Sequence, residues 1–133
     1  NGVVADFFLQ KDPIFARLNL DDEEFKLYQQ IYRHLQLKAP VPDLVIYLQT
    51  PVDLLRKRAE KRNINYEQRI STEYLEKIAA SYSNYFHNQH KSNVLIVNNE
   101  NIDLLEDSSA LKMMTERIMD ISSIREYFNP KLI

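Results

Sequence analysis

Glycine is almost missing from this chain: its 133 residues contain one, Gly2. A loop of the form G-x-x-x-x-G-K-[ST], whose glycines let backbone N–H groups close around phosphates, therefore exists nowhere in it. Cysteine is absent altogether. That excludes disulfides and thiolate metal sites, and a reducing cytoplasm is the expected setting. No apolar run approaches the roughly 18 residues of a membrane-spanning helix, and no signal-peptide pattern is visible. Charge of one sign is lacking too. Seventeen Lys and Arg against 19 Asp and Glu leave a net charge of −2, so no global field draws the chain to nucleic acid or to a membrane. A start at Asn1 rather than Met fits a fragment or a processed chain.

At 44% hydrophobic residues the chain can bury one core, so one domain or part of one is expected. Val3-Val4-Ala5 reads as a short apolar strand. Asp12-Pro13 supplies a cap and a first-turn proline for a helix through Ile14, Phe15 and Leu18. Asp21 with Glu24 forms a capping box, followed by Phe25, Tyr28, Ile31, Tyr32 and Leu35 at helical spacing. Leu44 to Leu48 is a continuous apolar run, read as a strand buried on both faces.

Thr50-Pro51-Val52-Asp53 repeats the cap, proline and acidic first-turn signals, starting a helix directly at that strand's end. Val52, Leu55 and Ala59 face inward in this reading, and Arg56, Lys57, Lys61 and Arg62 face out. Asn63-Ile64-Asn65-Tyr66 breaks the period into a flexible polar loop. Ser71 then caps a helix with the stripe Leu75, Ile78, Ala79, Tyr82 and Phe86. Asn93 to Asn98 is a third buried strand, and a last helix runs through Leu111, Met114, Ile118 and Ile121. Three apolar strands separated by helices predict a helix-rich α/β fold with parallel strands, because a parallel return needs a crossover.

Several constellations carry chemistry or have a plainer explanation. Arg56, Lys57, Arg58, Lys61, Arg62 and Arg69 either offset a helix dipole or form a cationic lid over a transferred phosphoryl group. The second reading gains from position, since ligands of open α/β sheets bind outside the carboxyl ends of strands. Glu67 is either a surface carboxylate or the acceptor for a sugar hydroxyl. Asp6, just past the first strand, caps a turn or stands near Mg²⁺. Asn98 to Asp103 is a turn or the border of a nucleotide's adenine ring. His34, His87 and His90 show no metal-ligand spacing and read as surface residues.

At these residues the chain resembles the C-terminal part of a bacterial deoxynucleoside kinase of the deoxyadenosine/deoxyguanosine kinase group. Four segments carry the resemblance: Val4-Ala5-Asp6-Phe7-Phe8 through Lys11-Asp12-Pro13-Ile14-Phe15-Ala16; Pro42 to Leu48; Lys61-Arg62 with Tyr66-Glu67-Gln68, Ile70 and Tyr74-Leu75; and Val94 to Asn98 with Tyr127-Phe128-Asn129-Pro130. The resemblance implies the second half of a P-loop-kinase-like fold, residues 1–133 forming part of one domain, with a helical lid at about 56–70 and the P-loop half absent. It implies ATP and Mg²⁺ as cofactors, a purine deoxynucleoside as substrate, 5′-phosphorylation as the reaction, and a homodimer through helices.

Residue by residue, it implies Asp6 near Mg²⁺, and Arg58 and Arg62 facing the ATP phosphates. Glu67 would meet the deoxyribose 3′-hydroxyl, while Asn98, Asn99, Glu100, Asn101 and Ile102 would border adenine. Two departures stand out. The family's lid has Arg-Gly-Arg where this chain has Arg62-Asn63-Ile64. The Arg that follows the acidic residue is Phe7 here, so one phosphate or substrate clamp is either absent or replaced by Lys11. The competing readings are a thymidylate-kinase-like nucleotide kinase, and a non-catalytic domain fused to another enzyme such as a folate-pathway pyrophosphokinase. On any of these readings the isolated chain is expected to be inactive.

Overall fold

Helix α1 (Asp12–Asn19) begins with Pro13 in its first turn, a position that needs no backbone N–H donor. In the computed structural model, which describes residues 2–130 with the side chain of Gln68 excepted, a 3₁₀ turn at Leu9–Lys11 leads into it. Asn1, on which the expectation of a fragment rested, lies outside the described residues. Asp12 is not the cap; its Oδ2 accepts a 2.7 Å hydrogen bond from the Tyr28 hydroxyl instead.

Helix α2 (Asp22–Gln36) carries the capping box read from the sequence. Asp21 Oδ1 accepts from the N–H groups of Glu23 and Glu24 at 2.9 Å, and Glu24 Oε2 accepts from Asp21 N at 3.0 Å. Such a cap stabilises a helix by about 1 kcal/mol. Phe25, Tyr28 and Tyr32 are half-buried and stack in sequence, with ring centroids 5.8 and 5.7 Å apart. The apolar side chains left exposed on it are Leu27, Ile31 and Leu35, a stripe four residues apart.

Three strands form one parallel sheet in the order β1 (Val45–Gln49), β2 (Val94–Asn98), β3 (Arg125–Phe128). Val45 pairs with Val94 and Val94 with Arg125, so the three carboxyl ends share one edge of the sheet. Between β1 and β2 run α3 (Val52–Arg62), the short α4 (Asn65–Gln68) and α5 (Thr72–Asn84); α6 (Ser108–Met119) joins β2 to β3. These are the crossovers that parallel pairing demands.

Central β2 explains the core. Val94, Leu95 and Val97 are fully buried, and each such side chain contributes roughly 1.5–3 kcal/mol. Phe86 joins Val94 and Ile96, with Phe8, Val45, Tyr47, Tyr82 and Tyr85 packed around them; Tyr47 stacks on Phe86 at 4.5 Å. Phe86 reaches that place through a π-helical turn at Tyr85–Gln89 that ends α5.

The sheet corrects three sequence expectations. Val3 to Ala5 is exposed and has no strand partner among the described residues, and a strand persists only where another strand takes its backbone groups. The third strand is instead Arg125–Phe128, its charge disguised by hydrogen bonds: Arg125 donates to the carbonyls of Phe86 and His90 at 3.1 and 3.2 Å. Finally, β1 is buried on one face only, with Ile46 and Leu48 at 41% and 44% exposure. It is an edge strand among the described residues, so only β2 holds it in place.

Candidate functional site

The carboxyl ends of the strands enclose a cleft of about 390 Å³. Its rim includes Gln49 and Thr50 from the end of β1, Asn98 and Glu100 after β2, and Tyr127 of β3. Helix α3 starts at this rim, with Pro51 at its N-cap and Asp53 in its first turn. Thr50 makes no cap bond; its hydroxyl faces Asn99 instead.

Asn99 is buried and ties the loop after β2 to α3. With its amide oriented so that both ends are satisfied, Nδ2 donates to the Ile102 carbonyl at 3.2 Å. Its Oδ1 then accepts from Thr50 Oγ1 at 3.3 Å and from Arg58 Nη1 at 2.8 Å. Of the loop residues expected beside adenine, Asn98 and Glu100 line the cleft, Asn99 and Ile102 are buried, and Asn101 is exposed. Asn98 Oδ1 accepts from Glu100 N at 3.1 Å, which fixes the first turn of that loop.

The cations of α3 do not share one role. Arg56 is half-buried rather than outward-facing: it donates to the Ile70 carbonyl and, at 3.4 Å, to Thr72 Oγ1. It braces α3 against the start of α5, where Ser71 caps the helix through a 3.1 Å bond from Tyr74 N. Lys57 and Lys61 are exposed. Arg58 and Arg62, four residues apart, diverge, Arg58 turning to Asn99 and Arg62 to Glu67.

Asn63 ends α3 in the left-handed region at φ 54°, a conformation asparagine tolerates better than most residues. The segment after it is not an open polar loop; Glu67 N bonds the Ile64 carbonyl at 3.0 Å and α4 forms. That turn folds Glu67 back onto α3. Arg62 Nη1 and Glu67 Oε1 lie 3.0 Å apart. The Glu67 side chain is only 17% exposed, and its Oε2 is buried without a hydrogen-bond partner among the described residues. A buried acceptor in that state has capacity for a further hydrogen bond.

Asp6 lies at a bend in an exposed segment rather than at a strand end, and its backbone carbonyl accepts from Lys11 Nζ at 3.1 Å. Among the described residues no group of three or more His, Cys, Asp or Glu is placed to hold a metal ion.

Two histidines are not surface residues. His90 is buried, its Nδ1 3.2 Å from the Tyr85 hydroxyl, with burial and then Arg125 pulling its pKa below the ordinary value. His87 is half-buried in the cleft wall, 3.0 Å from Gln49 Oε1. Gln49, His87 and Tyr127 were missed as site residues because they are distant in sequence and converge only when the strands align. The polar Gln49 closing an apolar run was the one signal available.

The family profile described as "Deoxynucleoside kinase" matches residues 1–123. Among curated relatives, the chain is 35% identical over 80 residues to a deoxyguanosine kinase of Bacillus subtilis, covering 60% of the chain and 39% of the relative. It is 26% identical over 140 residues to a deoxyadenosine kinase of Lactobacillus acidophilus, covering 91% and 65%. A deoxyadenosine/deoxycytidine kinase of Bacillus subtilis is 26% identical over 128 residues, covering 90% and 59%. The chain thus spans between about two fifths and two thirds of these relatives' lengths. No solved structure matches it significantly.

Proposed function

The chain belongs to the deoxynucleoside kinase family, and we propose that the protein containing it phosphorylates the 5′-hydroxyl of a purine deoxynucleoside with ATP. The relatives' names, deoxyguanosine and deoxyadenosine kinase, support the purine preference. In this reading residues 1–133 are the C-terminal part of the kinase domain, contributing the lid and the adenine-side loop. The phosphate loop lies outside them, since a chain with one glycine cannot build it.

The observation that carries the reading is the Arg62–Glu67 pair. Glu67 offers a buried, unpartnered oxygen beside a held one, which suits acceptance of a bond from the sugar's 3′-hydroxyl. Arg62 and Arg58 stand on the lid helix and stabilise charge as it spreads over the transferred phosphoryl oxygens. Asn98, Glu100 and the chain around them border the adenine of ATP. Mg²⁺ supplies charge neutralisation on the ATP phosphates when bound, and Asp6 is the carboxylate this chain would bring toward it. The exposed Leu27, Ile31 and Leu35 stripe suits burial against a second copy in a homodimer.

The test is direct. The full-length protein should convert deoxyadenosine or deoxyguanosine to the 5′-monophosphate with ATP, and residues 1–133 alone should not. Turnover by the isolated chain, or none by the full-length protein, rejects this assignment.

A further inference from the structure

Gln49, His87 and Tyr127 belong to three separate elements, yet they form one hydrogen-bonded wall of the cleft at the strand ends. Gln49 Oε1 can only accept, so His87 Nε2 carries the proton of the 3.0 Å bond between them. His87 Nδ1 then lies 3.4 Å from the Tyr127 hydroxyl, which links the ring to β3. The His87 and Tyr127 rings lie 5.6 Å apart, tilted at 33°. Tyr127 nevertheless remains 51% exposed, so its ring keeps open surface.

The charge around this wall narrows the ligand. Among the described residues no Lys or Arg lines the cleft, and Glu100 does. That lining gives phosphates no cationic partner, while a neutral, planar, polar ring needs none. The cations begin one element away: α3 leaves the rim at Pro51 and carries Arg58 and Arg62. A molecule with an uncharged heterocycle at one end and phosphates at the other matches that gradient. The volume, about 390 Å³, is at the scale of small-molecule sites.

We propose that Tyr127, held by His87 and Gln49, is the stacking surface for the nucleobase of the phosphate donor and sets affinity for its base rather than its phosphates. Gln49 keeps its amide N–H donors, which a base edge bearing an acceptor meets. The inference rests on the nucleotide-binding reading above and deepens it, adding three residues outside the loop 98–102.

Calorimetric titration of the full-length protein with ATP and with inorganic tripolyphosphate tests it. Tyr127→Ala should weaken ATP binding about tenfold or more, the scale of one base–aromatic stack, and leave tripolyphosphate unchanged. Tyr127→Phe keeps the ring and should stay close to the parent protein for ATP. Equal loss for both ligands, or no loss for ATP, overturns the proposal. Binding is read without turnover. Failure of the same protein to phosphorylate a deoxynucleoside would therefore remove the kinase reading and leave this one standing.

Discussion

Arg62 and Glu67 are joined across the turn that ends α3, Nη1 to Oε1 at 3.0 Å. The arginine is two-thirds exposed and the carboxylate mostly buried, so solvent screens the ion pair from one side only. The pair brings together the residue assigned to phosphate and the residue assigned to sugar.

Steady-state kinetics on the full-length enzyme separate those roles. Arg62→Ala should lower kcat by roughly 10²-fold, as loss of a transition-state charge contact does. Glu67→Gln should chiefly raise the KM for the deoxynucleoside, with that for ATP nearly unchanged. Exposed Lys57 is the control, and Lys57→Ala should change little. Because the two residues touch, the double variant should lose less than the sum of the singles. Equal small effects from all three single variants would reduce the basic helix to a solvated face.

Asn99 links the loop after β2 to α3, and its removal should be felt as stability. Asn99→Ala leaves the Arg58 guanidinium and the Ile102 carbonyl without their shared partner. The expected cost is about 1–3 kcal/mol, read from urea unfolding midpoints at unchanged m-value. A midpoint equal to the parent's would mean the loop is held by other contacts.

Acid should weaken the fold in two windows. His90 has a lowered folded pKa, from burial first and then from Arg125, with a backbone bond to Asn93 opposing. The unfolded chain thus binds the proton first. This contribution is complete above about pH 6.5 and shrinks as pH falls from there toward the folded pKa. Glu126 is also lowered, first by the Ser122 N–H and further by Ser123 and Arg117, with burial opposing. Its contribution is complete above about pH 4.3 and is lost as pH falls through its folded pKa. In melts from pH 8 to 3, His90→Asn should flatten the upper window alone. A slope between pH 7 and 5 that survives this change would assign that window to another group.

The stripe on α2 sets the dimer prediction. Ile31→Glu places a charge among Leu27 and Leu35, and should shift the full-length protein toward monomer in sedimentation at micromolar concentration. An unchanged sedimentation coefficient would place the interface elsewhere.

What the sequence determined by itself is the part of the molecule made of short-range interactions. The α2 capping box, the Ser71 cap and the break at Asn63 each depend on atoms within five residues. Strands β1 and β2 were legible as short apolar runs bounded by polar residues, which suit little but a strand in a covered sheet. Tertiary structure decided the rest. Strand β3 pairs with β2 and is satisfied because Arg125 finds carbonyls 39 and 35 residues away. Val3 to Ala5 has strand-forming side chains but no neighbour among the described residues, so its backbone stays unpaired. Arg58 and Asn99 meet across 41 residues, and His87 and Gln49 across 38, once parallel strands bring their ends to one edge. Local sequence specifies which backbone groups a segment can satisfy for itself. Pairing of distant ends, and the cleft between them, waits for the whole chain to fold.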